Sequence, residues 1–195
     1  MTTNAAKTRA TALEHAASPG PMLTTTAARA LAVLRIATGF VFLWAFLDKT
    51  FGLAYSTPTE RAWINGGSPT NGFLSHVEVG PFQSIAQTIA GTWWADTLFM
   101  TGMAAVGIAL IAGIGLRVSA ASGALIMAMM WLAEFPLDRF TAAGEPSGST
   151  NPITDYHLIY AVVLVVLAAS YAGHTWGLGR IWARLPLVQR NRWMI

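Results

Sequence analysis

Four long stretches of this chain have no polar face at all. Residues 27–47, 97–116, 118–135 and 156–173 are apolar almost throughout. A helix needs about 20 such residues to cross the hydrocarbon core of a bilayer. A soluble bundle built from them would need polar stripes on its outward faces, which these stretches lack. The pattern predicts an all-α integral membrane protein, a four-helix bundle, because backbone groups in lipid must be satisfied within each helix. The last two stretches are short, so their ends belong at the interface.

The connections are uneven. Residues 48–96 form a long link with turn signals in "NGGSPTNG" (65–72) and a helix-like run after Pro81, "FQSIAQTIAGTWW", expected to lie across one interface as a lid. Loops of this length in compact domains are often functional. Small residues recur at every fourth position, Ala105, Ala109 and Gly113 on one stretch and Ala120, Ala124 and Ala128 on the next. Such seams are expected to bring helices close together in lipid.

Composition supports the membrane reading. The chain is 54% hydrophobic and 11% charged, against about 25% charged in soluble domains. It has no cysteine, which removes disulfides, thiolate metal sites and dithiol redox chemistry. The net charge of +3 comes with no basic stripe or nucleic-acid motif, so a nucleic-acid partner is excluded. Lys7, Arg9, Arg29, Arg117, Arg180, Arg184, Arg190 and Arg192 fall on the two tails and the tight turn at 114–118, and only Lys49, Arg61 and Arg139 on the other links. The positive-inside rule then puts both termini in the cytoplasm. Of the nine acids, only Glu14 lies on the basic side. Residues 1–26 read as a flexible cytoplasmic tail, not a signal peptide. Residues 174–195 interleave tryptophan with arginine, as suits a basic amphipathic tail at an anionic leaflet, or a solvated tail.

Arg35 is the charge that lies deep. It sits about 12 Å past Ala27 at 1.5 Å per residue. Intramembrane charges of this kind usually mark a site, although a long arginine can also snorkel to the headgroups. No acid lies in the inner half of any apolar stretch, so its partners must be carbonyls, hydroxyls, water, lipid phosphate or a ligand. A second polar group gathers at the outer ends: Asp48, Lys49, Asp96, Glu134, Asp155 and His157. The helix dipole accounts for Asp96, Asp155 and Lys49, and Asn151-Pro152 reads as a helix start. Glu134 ends its helix, where the dipole disfavours an anion. It needs Lys49, Arg139 or His157, or a proton. Such a cluster is suited either to proton transfer or to a structural hydrogen-bond network. Met127, Met129, Met130, Trp131 and Phe135 make a soft region beside it that suits core packing or a flat quinone. His157 and His174 stand about 25 Å apart along one helix, which argues against haem. With no metal-ligand spacing along the sequence, no tightly held metal is expected.

The motifs "RIATGFVFLWAFLDKTFG", "GIALIAGIGLRVSA" and "NPITDYHLIYAVVLVVLAASYAGHTWGLGR" resemble the first helix, the second helix with its turn, and the last helix of the DoxX/DoxD family, in order across residues 30–184. The resemblance implies a four-helix subunit of a bacterial cell membrane. Some relatives are subunits of thiosulfate:quinone oxidoreductase, and others associate with a sulfurtransferase and a superoxide dismutase. It marks Arg35, Lys49 and Asp155 as family-matched positions. Where relatives often carry a glutamate on the second helix, this chain has Met103.

Two readings follow. In the first, the chain is the membrane subunit of a quinone-linked oxidoreductase acting on thiosulfate or a related sulfur compound. Arg35, Lys49, Trp131 and Met127 would bind the substrate or quinone, and Glu134, Asp155 and His157 would handle protons. The acidic outer side disfavours thiosulfate, a dianion, and not an uncharged quinone arriving through the membrane. In the second, a non-enzymatic anchor recruits soluble redox or sulfurtransferase partners to its basic face, alone or as a homo-oligomer. The lack of any electron-storing group favours the anchor.

Overall fold

The computed structural model describes residues 24–195. Most of the tail expected at 1–26 lies outside the described residues. Its last two residues belong instead to helix α1, Thr25–Phe51. Thr24 makes the difference, since its hydroxyl accepts from Ala27 N at 3.2 Å and caps the helix. Helix α1 closes at Gly52, whose φ of 65° supplies the left-handed residue that ends many helices.

The described residues are helical, with no strand and a single isolated bridge between Phe140 and Pro146. The long link after α1 folds into two 3-10 turns, Thr59–Arg61 and Trp63–Asn65, then α2 (Pro69–Leu74) and α3 (Gln83–Ile89). "NGGSPTNG" is therefore only half turn: Ser68 caps Asn71 N and Pro69 opens α2 at its first position. The helix-like run after Pro81 divides between α3 and the start of α4 (Trp93–Ala112), separated at Gly91 with φ 72°.

Gly113 and Gly115, with φ of 72° and 55°, make the tight turn from α4 into α5 (Leu116–Glu134). Helix α6 covers Tyr156–Ala169, and the apolar stretch continues through Ser170 into a 3-10 turn, Ala172–His174. Helices α1, α4 and α5 are long and apolar enough to cross a membrane, while α6 is a shorter apolar helix. Short helices α7 (Gly179–Trp182) and α8 (Pro186–Arg190) follow, and a 3-10 turn covers Arg192–Met194.

Neighbouring long helices run antiparallel. Gly39 packs on Ile111 and Gly107 on Leu43; Gly102 meets Ile126, and Gly123 meets Leu164 and Val106. A Cβ on Gly107 would stand 2.6 Å from Leu43 N, so this glycine sets how near α1 comes to α4. The expected alanine seams are partly outside the packing: Ala105 and Ala128 are exposed. Phe42, Met103, Leu110, Met127, Leu164 and Leu167 form the core between the helices. Outward, Val33, Phe40, Leu98, Leu125 and Val165 are all more than half exposed. A continuous apolar exterior of this kind suits lipid, not water.

Candidate functional site

The end of the bundle opposite Arg35 collects a polar cluster from two elements. Glu134 is the last residue of α5, held at the turn where Phe135 takes a left-handed φ of 36°. Asp155 caps α6, accepting from Leu158 N at 3.0 Å. This places His157 second in the first turn of the helix, with its side chain only 1% exposed. The His157 Nδ1 lies 2.8 Å from Asp155 Oδ2 and 3.6 Å from Glu134 Oε2. Tyr156 donates its hydroxyl to Glu134 Oε1 at 2.9 Å and packs its ring, tilted by 37°, against the imidazole with centroids 4.0 Å apart.

Of the three cations that the sequence offers Glu134, the structure supplies His157. Arg139 is exposed beside Phe140. Lys49 is partly buried and pairs with no carboxylate among the described residues.

Glu134, Asp155 and Tyr156 line an open cavity of about 780 Å3. Its far walls come from α2 and the residues after it (Phe73, His76, Glu78) and from the 136–154 link (Pro136, Ser149, Asn151). This volume lies in the range usual for small-molecule sites. Three carboxylates face it (Glu78, Glu134 and Asp155), and no lysine or arginine does. Neither Met127 nor Trp131 lines it: Met127 is buried in the core, and the Trp131 indole donates to Ile153 O at 2.9 Å. Tyr156, His76 and Glu78 were not singled out by sequence. Tyr156 sits beside Asp155 in "TDYH", which was the available signal.

Asp48 and Asp96 are fasteners. Asp48 accepts from Tyr55 N, Ser56 N and the Ser56 hydroxyl at 2.6–3.2 Å, pinning the chain after α1. Asp96 Oδ1 accepts from the Ser68 hydroxyl and from Thr70 N and Oγ1 at 2.6–3.0 Å, tying α2 to α4.

Arg35 lies at the opposite end, fully buried. Its Nη1 donates to Leu110 O and Ile111 O at 2.8 and 3.1 Å. Its Nη2 donates to Trp176 O at 2.8 Å and reaches Thr175 O at 3.5 Å. The guanidinium thus serves carbonyls at the end of α4, of which Leu110 O also accepts from Gly113 N at 3.1 Å, and binds them to the turn after α6. Gly113 and Gly177 leave room for it, since a Cβ at either would collide with Nη1.

Together these features define a helical protein with three membrane-length helices, an acidic polar cavity at one end and an arginine lock at the other. The chain matches no protein-family model, curated protein or solved structure.

Proposed function

We propose that this chain is a DoxX/DoxD-like membrane subunit of a quinone-linked oxidoreductase, crossing the cell membrane four times with both termini in the cytoplasm. One observation carries the reading: the Glu134–Tyr156–Asp155–His157 cluster borders a cavity of about 780 Å3 at the end of the apolar helices. A lipid-soluble quinone meets an aqueous donor at such a boundary. Phe73, Pro136 and Ile159 offer apolar walls to a flat ring, and the cluster offers hydrogen bonds to its carbonyls. Three carboxylates and no lysine or arginine around the cavity disfavour thiosulfate and favour an uncharged or cationic sulfur compound as electron donor. Arg35 keeps a structural role in this reading, because its two terminal nitrogens already serve carbonyls.

The test is reduction of a water-soluble quinone analogue by thiosulfate or a neutral thiol, using protein purified in mild detergent. We expect turnover with the thiol to exceed that with thiosulfate, and Tyr156→Phe to lower it about tenfold or more. Folded wild type that turns over neither donor would overturn the reading and favour the anchor. The exposed Arg180, Arg184, Arg190 and Arg192 would then be the surface to test for soluble partners.

A further inference from the structure

Two carboxylates converge on a single imidazole nitrogen at the end of the bundle opposite Arg35. A proton on His157 Nδ1 serves Asp155 Oδ2 at 2.8 Å and leaves Glu134 Oε2 facing the ring at 3.6 Å. The other oxygen of each carboxylate is already fixed, Glu134 Oε1 by the Tyr156 hydroxyl and Asp155 Oδ1 by Leu158 N. No lysine or arginine pairs with either acid among the described residues. The arrangement orients two carboxylates toward one point, with the His157 imidazole as the single basic group between them. The imidazole is 1% exposed and aims Nδ1 between the carboxylates.

We propose that Glu134, Asp155 and His157 form a binding site for a divalent transition-metal ion. One ligand atom from each residue lies within 4.8 Å of the other two. The two separations from Nδ1, 2.8 Å and 3.6 Å, bracket the ~3.4 Å expected between ligand atoms of a tetrahedral ion with ~2.1 Å bonds, and the third lies within 4.8 Å. One nitrogen with two carboxylate oxygens suits zinc, cobalt, manganese or ferrous iron better than calcium or magnesium, which take oxygen ligands. A divalent ion neutralises both carboxylates, and the Tyr156 and Leu158 hydrogen bonds are the orienting contacts such ligands need. Glu134 and Asp155 line the cavity, so the remaining coordination position opens onto it. Open positions of this kind mark catalytic metal sites, whereas structural sites are closed. A redox-active ion here would also give a cysteine-free chain the electron-storing group that its sequence lacks.

The proposal stands on the geometry of the cluster and is independent of the quinone reading. Full-length protein in mild detergent is stripped with a chelator, equilibrated with Co2+ or Zn2+, and analysed for bound metal. We expect a single ion per chain, with Co2+ giving the visible absorption of a tetrahedral site. Glu134→Gln preserves an oxygen for Tyr156, and His157→Asn removes the nitrogen. Each should weaken binding about tenfold or more, with thermal unfolding confirming that the variants are folded. Folded wild type holding no stoichiometric metal would overturn the proposal, as would both variants binding like wild type. Metal content is read without turnover, so loss of the quinone reading leaves this result intact, and the reverse holds too.

Discussion

At the scale of single residues, Arg35 shows how a buried charge is accommodated when no acid is at hand. The last carbonyls of a helix lack intrahelical partners and carry the negative end of its dipole. Arg35 from α1 reaches two of them on α4, and its fork extends to Trp176 O on the turn after α6. Removing it leaves the part-buried Ile111 O and Trp176 O without their donor, so Arg35→Ala should destabilise the fold by on the order of 2 kcal/mol. Arg35→Lys should recover only part of this, because an ammonium is a point charge and cannot span two segments with a planar fork. Thermal unfolding in detergent reads both, and an unchanged midpoint for Arg35→Ala would remove the lock from the account. The depth of Arg35 was plain in the sequence and its partners were not, because carbonyls leave no mark in side-chain identity. Glu134 was more legible. An anion at a helix C-terminus demands a cation or a proton, and His157 was among the few candidates.

At the scale of elements, the apolar stretches located the helices to within a few residues. Their ends followed local chemistry that hydropathy does not register: the Thr24 cap, the glycines at 113 and 115, and Ser68-Pro69 opening α2. The contact faces were harder to read. Small residues at every fourth position mark a stripe without saying which way it faces, and Ala105 and Ala128 turned out exposed. Glycines carry the close approaches instead, and position 107 is the sharpest test. Gly107→Ala drives a Cβ against backbone atoms of Leu43, which cannot move aside as a flexible side chain would. We expect a loss of about 1–3 kcal/mol, as for an overpacked core. Gly72→Ala, on α2 with nothing within 4 Å of the new Cβ, should be neutral or slightly stabilising. Equal effects at the two sites in a chemical or thermal unfolding series would mean that Gly107 does not set the α1–α4 spacing.

At the scale of the whole molecule, the open matter is whether α6 completes a fourth crossing. Its regular part has 14 residues, about 21 Å at 1.5 Å per residue, against a hydrocarbon core of about 30 Å. Two features argue that the segment still spans. The chain remains apolar through Ser170 to Gly173, and a 3-10 turn lengthens it further at Ala172–His174. Val162, Val165 and Val166 also face outward from α6, as lipid-facing residues do. A short span is accommodated by local thinning of the bilayer and by interfacial anchors, and Trp176 and Arg180 stand where such anchors belong. The natural absence of cysteine makes this directly measurable, because every introduced thiol is the sole site of labelling. Ala143→Cys lies in the exposed link between α5 and α6, and Gln189→Cys in the exposed tail beyond α6. With four crossings, a membrane-impermeant maleimide labels Ala143→Cys in intact cells and reaches Gln189→Cys only after permeabilisation. With three, the two positions share a side and respond alike. The positive-inside arrangement of Arg117, Arg180, Arg184, Arg190 and Arg192 favours the first outcome, since three crossings would strand the arginine-rich tail on the acidic side.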